Sequence, residues 1–366
     1  MRKGFSPTLA FYLGKSYLTS LFLTTLVLST LVFILEIVEM SRKLGAKTGL
    51  EEGIGFKMVL LKMPDMVLQI VPFIILLGTL TCFARLTKNQ ELTAIRACGL
   101  PARQFLVPPI IVCLSIGIFN IAAFNPFAAT MLKQYEHVHN DIFPGSTQGL
   151  VTNGGQIWLK QQEEDRDILI YAQNVTEQGH KLEKATLFVF NKDGVFQTRV
   201  DAEKMFLTDE KWILSNIVKI KPGVPSEKYD RYILPTTLKP EMIQNSFTSP
   251  NTLSVWEMGK FIKLLKDTGF PSQKHELYWH KLMASPALIL AMFLLAAPFA
   301  LHFSRNRSTG SILLLGLVFG FLFYFFTNLV STQGLSGAIN LAVAAWIPTA
   351  IAGFLGLSFF LHFREE

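Results

Sequence analysis

The chain has 366 residues, of which 50% are hydrophobic and 17% charged, and its net charge is +7. An ordinary soluble domain is about 25% charged, so this composition excludes a purely soluble protein and predicts membrane-spanning segments. Residues 133–274 carry 18 basic and 18 acidic side chains. The excess positive charge therefore lies on the apolar parts of the chain, and we expect no nucleic-acid partner.

Six apolar runs are long enough to cross a bilayer, which takes about 20 helical residues. They lie near 17–38, 66–84, 105–125, 282–303, 311–331 and 338–362. The sequence predicts an α-helical membrane protein with six transmembrane helices and one water-facing domain inserted between the third and the fourth. The predicted parts are 1–132 (helices 1–3, with a short cytoplasmic helix near 88–99), 133–250 (the inserted domain), 251–272 (an amphipathic connecting helix) and 273–366 (helices 4–6).

Basic residues in short loops predict the orientation of the bundle. Six crossings place three basic segments on one side: the N-terminus with Arg2 and Lys3, the loop with Arg85 and Lys88, and the loop with Arg305 and Arg307. We therefore expect a multi-pass protein of a bacterial inner membrane. Both termini are expected in the cytoplasm and the inserted domain in the periplasm.

The loop between the first two helices departs from this rule because it is basic on the predicted outer side. Its cations are Arg42, Lys43, Lys47, Lys57 and Lys62. One interpretation is a solvated loop, balanced by Glu39, Glu51 and Glu52. The other is a cationic collar that meets anionic headgroups or phosphates at the outer leaflet.

The segment 87–101, TKNQELTAIRACGLP, lies on the predicted cytoplasmic side between helices 2 and 3. Leu92 and Ile95, with the neighbouring alanines, form one apolar side of a short helix. Glu91 and Arg96 project from it as charged groups. The segment is either a helical elbow or a coupling helix that docks into a groove on a separate ATPase subunit.

The inserted domain has the pattern of β-strands. Five segments are rich in β-branched and aromatic residues: 156–160, 168–175, 185–191, 195–202 and 212–220. Asp193-Gly194 is a hairpin signal between two of them, and the whole predicts an all-β antiparallel sandwich or jellyroll. Beyond the strands, Ser254-x-x-Glu257 caps a helix over about 252–268. This helix lies either on the membrane surface or under the β-domain.

Catalytic motifs are weak in this sequence. Gly14-Lys15-Ser16 resembles the end of a phosphate-binding loop, but Leu9 stands where that loop needs its first glycine. His137 and His139 are two residues apart, which is a weak pattern for metal ligands. We therefore expect no enzyme activity, no cofactor and no metal site, so the energy for any transport must come from a partner.

Three crossings, a β-domain, three more crossings and Q-E-L-x-A-I-R-A-x-G at 90–99 together resemble the LptF/LptG permease family of lipopolysaccharide transport. The resemblance covers nearly the whole chain, and Tyr278-Trp279-His280-Lys281 with the run 319–328 is most similar to the LptG members. It implies a permease subunit of an ABC transporter that extracts lipopolysaccharide from the outer leaflet of the inner membrane and passes it to a periplasmic bridge. The competing interpretation is a membrane-anchored scaffold whose β-domain recruits envelope-assembly partners.

The resemblance also implies partners and site residues. The partners are a second LptF/LptG-type permease in a heterodimer, an LptB-type ATPase dimer, and LptC- and LptA-type periplasmic β-jellyroll proteins. The residues that couple to the ATPase are Glu91, Leu92, Ile95 and Arg96. Those at the lipopolysaccharide headgroup are Arg42, Lys43, Lys47 and Lys133, and those at the cavity and gate are Leu31, Ile34, Phe319, Phe323 and Phe326.

Glu36 and Asp65 depart from the family pattern, since they stand where family members can have basic residues. Both lie near helix ends and are expected to reach the interface.

Overall fold

The computed structural model describes residues 7–45, 53–97, 102–142, 157–162, 166–176, 181–191, 195–208, 211–221, 223–236, 249–267, 271–303 and 309–362. The chain divides into two compact units. The first comprises residues 1–135, 253–256 and 273–366, and the second comprises residues 136–252 and 257–272.

The first unit is helical, and in the described part of the chain six helical segments are long and apolar enough to span a membrane. The spans are α1 (Pro7–Leu44), α2 (Ile54–Lys88), α4 with α5 (Ala102–Phe119 and Asn125–Ile142), α7 (Gln273–Phe303), α8 (Thr309–Leu335) and α9 (Leu341–His362). The short helix α3 (Glu91–Ala97) lies between the second and third spans, and α6 (Val255–Asp267) precedes the fourth. The prediction of six transmembrane helices is confirmed.

The core of the first unit consists of large side chains buried between the helices. Tyr17 of α1, Phe83 of α2 and Phe293 of α7 are among the largest fully buried residues. Because lipid tails are as apolar as the helices, close packing supplies much of the attraction between spans. Small residues permit it: a Cβ at Gly356 of α9 would lie 2.7 Å from the backbone nitrogen of Leu295 in α7.

Interior prolines interrupt most of the spans. They lie in α2, α4, α7 and α9, at Pro64, Pro72, Pro108, Pro109, Pro286, Pro298 and Pro348. Proline removes a backbone hydrogen bond and kinks a helix. The interiors of α1 and α8 contain no proline, so no proline interrupts the backbone hydrogen bonds of these two helices.

The third span widens between α4 and α5, where Asn120–Phe124 adopt a π-helical turn. Asn125 follows this turn and is fully buried. Its Nδ2 donates a hydrogen bond to the Tyr278 hydroxyl at 3.4 Å, and its Oδ1 accepts one from the backbone N–H of Val255 at 2.9 Å. One buried amide thus joins the first residues of α5 and α6 to the second turn of α7.

The second unit is an inserted antiparallel β-domain. Its described strands are β1 (Ile157–Gln162), β2 (Arg166–Thr176), β3 (Lys181–Asn191), β4 (Phe196–Thr208), β5 (Lys211–Lys221) and β6 (Val224–Pro235). Every strand pairs with its neighbour along the chain, in the order β1-β2-β3-β4-β5-β6. The predicted fold class, a helical membrane protein with an inserted all-β domain, is confirmed. The described strands form a single meander, which is a simpler order than the Greek key of a jellyroll.

The helix α6 packs against one face of the sheet and buries it. Trp212 and Leu214 of β5 lie in its core, and Phe261 and Leu265 of α6 pack against them. The helix therefore packs under the β-domain, as the second interpretation of the sequence has it. The predicted hairpin is present as the pair β3–β4, although residues 192–194 themselves lie outside the described residues.

The sequence predicts five of the six described strands, and β6 is the strand without a signal. Residues 224–231 are exposed and include four charged side chains, so they show no alternation of apolar and polar positions. A strand solvated on both faces gives no period-2 signal.

Candidate coupling and headgroup sites

The short helix α3 lies against the helical bundle through its apolar side. Leu92 and Ile95 are 4% and 9% exposed and belong to the buried cluster that also contains aromatic residues of α2 and α4. Ala94 and Ala97, on the other side, are exposed. The predicted coupling residues therefore divide into two groups. Leu92 and Ile95 attach α3 to the spans, and the described surface beside Glu91 includes the small residues Ala94 and Ala97.

A tight turn leads from α2 into α3. The N–H of Asn89 donates to the carbonyl of Arg85 at 2.9 Å, and Gln90 has a left-handed φ of 64°. Glu91 then occupies the first turn of α3, where a negative charge suits the helix dipole. The side chain of Arg96 lies outside the described part of the structure, as do residues 98–101.

The carboxylate of Glu91 joins α3 to the N-terminal end of α1. Its Oε2 accepts a hydrogen bond from the Tyr12 hydroxyl at 2.7 Å, and its Oε1 accepts one from Asn89 Nδ2 at 3.3 Å. Nearby, Arg85 of α2 donates to Ser16 Oγ of α1 at 2.6 Å. Polar contacts therefore connect the adjoining ends of α1, α2 and α3. Tyr12 gives no signal in the sequence because 79 positions separate it from Glu91.

The structure brings two of the predicted headgroup residues together at the C-terminal end of α1. The Glu39 carboxylate accepts two hydrogen bonds from Arg42, at 2.9 and 3.1 Å, and lies 3.4 Å from Lys43 Nζ. The Arg42 side chain is 77% exposed. Lys133 is exposed on α5, and Lys47 lies outside the described residues.

Two acidic side chains that were expected at the interface are buried instead. The Glu36 side chain on α1 is 8% exposed, and its Oε1 lies 2.6 Å from Lys62 Nζ on α2. Lys62 also lies 5.7 Å from the centre of the Tyr135 ring. Asp65 is buried one turn further along α2 and accepts a hydrogen bond from Gln69 at 2.8 Å. A charge in a membrane span is costly unless it has partners, which explains why these acids are paired.

Of the predicted cavity and gate residues, those on α1 are exposed and those on α8 are packed against neighbouring helices. Leu31 and Ile34 of α1 are 57% and 56% exposed. Phe319 and Phe323 of α8 pack against the main core, and Phe326 packs against a smaller cluster shared by α7, α8 and α9. These three phenylalanines therefore support helix packing. The exposed aromatic residues of α8 are Phe321, Tyr324 and Phe325.

The described residues form a multi-pass membrane protein with six spans and an inserted β-domain. A short helix is attached to the bundle at one end of α1, and cations lie at the other end. The chain belongs to the LptF/LptG family: the family model described as lipopolysaccharide export system permease LptF/LptG matches residues 11–362. This match includes all six spans and the β-domain. The resemblance recognised in the sequence is confirmed.

Individual relatives agree with the family assignment. The chain is 23% identical to the lipopolysaccharide export system permease protein LptG of Haemophilus influenzae over 358 residues, which cover 94% of this chain and 95% of that protein. It is 24% identical to LptG of Escherichia coli (strain K12) over 370 residues, which cover 97% of this chain and 98% of that protein. The similarity therefore extends over both units.

Proposed function

We propose that this chain is a permease subunit of an ABC transporter that extracts lipopolysaccharide from the outer leaflet of the inner membrane and passes it to a periplasmic bridge. The observation that carries the proposal is the attachment of α3. Leu92 and Ile95 are buried in the bundle, so the helix moves with the spans, while Glu91, Ala94 and Ala97 form a surface for a partner. A helix held in this way transmits a push from a soluble subunit to the membrane.

The partner at α3 is an ATPase dimer of the LptB type, which supplies the energy of ATP hydrolysis. Exposed alanines let a groove approach the helix closely, and the carboxylate of Glu91 suits a basic residue at the rim of that groove. The basic loops beside α3 support a cytoplasmic location for this helix and for both termini. The β-domain then lies in the periplasm.

The lipid substrate meets α1 at two levels. The phosphates of its headgroup lie at Arg42, Lys43 and Lys47 of the collar and at Lys133 of α5. Each cation at this height contributes about 1 kcal/mol of attraction to an anionic headgroup. The acyl chains lie along the exposed apolar surface of α1, which includes Leu31 and Ile34.

Two further kinds of partner complete the proposed transporter. A second LptF/LptG-type permease faces the exposed apolar surfaces of α1 and α8, because helices associate in membranes by close packing of such surfaces. Periplasmic β-jellyroll proteins of the LptC and LptA types receive the lipid from the β-domain. Among the described strands, β1 lies at one edge of the sheet, and an edge strand is suited to pair with another β-domain.

The substitution Glu91→Ala tests this proposal in the full chain, co-expressed with the ATPase and the second permease. We expect the ATPase to be lost from the complex purified in mild detergent, and lipopolysaccharide export to stop. Glu227→Ala is the matched control, because Glu227 is an exposed glutamate on β6 that also accepts a hydrogen bond from a tyrosine. Normal retention of the ATPase and normal export in Glu91→Ala would contradict the proposal and favour the scaffold interpretation.

A further inference from the structure

The helix α1 connects the two candidate sites as one uninterrupted element. It has 38 residues and no interior proline, so at about 1.5 Å per residue it is roughly 57 Å long. Tyr12, which bonds to the coupling helix α3, lies near its N-terminal end, and Arg42 lies at its C-terminal end. A displacement near Tyr12 can therefore reach Arg42 through one continuous helix.

The attachment of α1 to the bundle is concentrated near its N-terminal third. Tyr17 is fully buried, and its hydroxyl forms hydrogen bonds with Thr79 Oγ1 at 2.9 Å and with Cys113 Sγ at 3.1 Å. Leu21 packs against Gly78, where a Cβ would lie 2.5 Å from Leu21 Cδ2. These contacts fix α1 to α2 and α4 at one level and make that level a natural pivot.

Beyond the pivot, α1 is largely exposed until it approaches the collar. The exposed residues are Phe22, Leu23, Leu26, Val27, Leu31, Ile34, Leu35 and Val38. The outer contacts of α1 with α2 include the buried Met40, the edge-to-face contact of the Phe33 and Phe56 rings with 6.0 Å between their centres, and the ion pair of Glu36 with Lys62. An ion pair with a partly exposed lysine exchanges partners more readily than a close-packed core does.

We propose that Tyr12 is a positioning residue that couples the motion of α3 to α1 and thereby moves the collar. The proposal rests on the function proposed above and adds the route by which the ATPase acts on the headgroup site. Tyr12 precedes the pivot at Tyr17 by five residues, or about 7.5 Å, and Arg42 follows it by 25 residues, or about 38 Å. If α1 rotates as a rigid rod about Tyr17, Arg42 therefore moves roughly five times as far as Tyr12.

The hydrogen bond of Tyr12 is better suited to transmit motion between α3 and α1 than to stabilise the folded protein. Its acceptor is a carboxylate 2.7 Å away, and such charge-assisted bonds are short and directional. Both partners lie at the surface, where a hydrogen bond contributes little to the free energy of unfolding because water replaces it. Removal of the Tyr12 hydroxyl should therefore disturb coupling without unfolding the protein.

The test compares Tyr12→Phe with Tyr229→Phe in the complete complex, reconstituted in vesicles that contain lipopolysaccharide. Tyr229 is a matched control, because its hydroxyl also donates to a glutamate, Glu227, at 2.7 Å, but it lies on β6. Motion of the collar is followed by maleimide labelling of Ser41→Cys, an exposed position on α1. Labelling is measured with and without ATP and vanadate in a Cys98→Ser background.

We expect nucleotide to change the labelling rate in the parent and in Tyr229→Phe. In Tyr12→Phe the nucleotide-dependent change in labelling rate should be about fivefold smaller. A factor of about five is the lower end of the range for allosteric coupling between two sites. The ATPase should still co-purify, and ATP hydrolysis should stay at the parental rate. Lipopolysaccharide released per ATP should fall together with the labelling response.

Three results would overturn the coupling role of Tyr12. They are an unchanged labelling response in Tyr12→Phe, a parent that shows no response to nucleotide at Ser41→Cys, and loss of the ATPase from Tyr12→Phe, which would make Tyr12 a docking residue. A parent that responds at Ser41→Cys but releases no lipopolysaccharide would instead contradict the proposed function. The two proposals therefore fail in distinguishable ways.

Discussion

Lys62 of α2 and Glu36 of α1 form an ion pair, with 2.6 Å between Nζ and Oε1, near the end of two membrane spans. Neither side chain is more than about a quarter exposed, since the values are 26% for Lys62 and 8% for Glu36. The ring of Tyr135 lies against the ammonium group. The pair joins the collar end of α1 to the rest of the bundle.

The first prediction concerns this ion pair. Lys62→Ala leaves the Glu36 carboxylate buried without its cation, and we expect a loss of about 2 kcal/mol, between the values for exposed and fully buried pairs. Glu36→Gln should cost less, because a neutral amide has no charge to desolvate. The measurement is the Tm of the purified protein in detergent. Lys57→Ala, an exposed lysine on α2, is the control, and a Lys62→Ala protein as stable as this control would refute the prediction.

The second prediction concerns the Glu39 carboxylate, which holds both Arg42 and Lys43. Glu39→Gln should free the two cations and increase photo-crosslinking of lipopolysaccharide to the collar. Reversing the charge of both cations, Arg42→Glu with Lys43→Glu, should reduce crosslinking by about tenfold or more, since each cation contributes about 1 kcal/mol.

Lys228→Glu on β6 is the control for that charge reversal, because Lys228 is an exposed lysine in the β-domain. The measurement is the fraction of protein crosslinked per dose of light. Equal crosslinking in the double variant and in Lys228→Glu would mean that the headgroup binds elsewhere.

The third prediction separates the two sides of α3. Leu92→Ala removes a buried side chain and should lower the stability of the permease itself by about 2 kcal/mol or more. Ala94→Asp changes an exposed position and should leave the Tm unchanged while it weakens retention of the ATPase. Thermal unfolding and co-purification are measured on the same samples. If Leu92→Ala kept its Tm but lost the ATPase, Leu92 would belong to the docking surface.

The fourth prediction uses two glycines that lie one turn apart on α9. A Cβ at Gly356 would lie 2.7 Å from Leu295 N and 2.8 Å from the carbonyl carbon of Leu294, whereas a Cβ at Gly353 would lie 3.8 Å from Ala291 Cβ. Gly356→Ala must therefore push α9 away from α7 and should cost about 1–3 kcal/mol. Gly353→Ala should be neutral. Equal Tm values for the two variants would contradict this packing.

The spans and the inserted domain could be predicted from the sequence because a bilayer imposes a length and a polarity that local composition reveals. The position of α3 was also predictable, since Gly99 and Pro101 follow its apolar residues. Its orientation was not predictable. Leu92 and Ile95 form an apolar side in either case, and whether that side faces the bundle or a partner depends on packing.

Long-range pairs gave no signal in the sequence. Glu36 and Lys62 are 26 positions apart and Tyr12 and Glu91 are 79 apart, so their partnership follows from the assembly of the helices. The aromatic run of α8 shows the same limit. The family resemblance implied gate residues there, but which phenylalanines of α8 are exposed and which are packed depends on the neighbouring helices that cover them.

The π-helical turn at Asn120–Phe124 determines which way the later residues of the third span face around the helix axis. A π-turn inserts one residue relative to a regular helix, so the later residues are rotated by roughly 100° about the axis. Tyr135 contacts Lys62 in this rotated setting. Deleting one residue from the turn would leave the hydropathy of the span intact, yet it would swing the aromatic ring away from its cation.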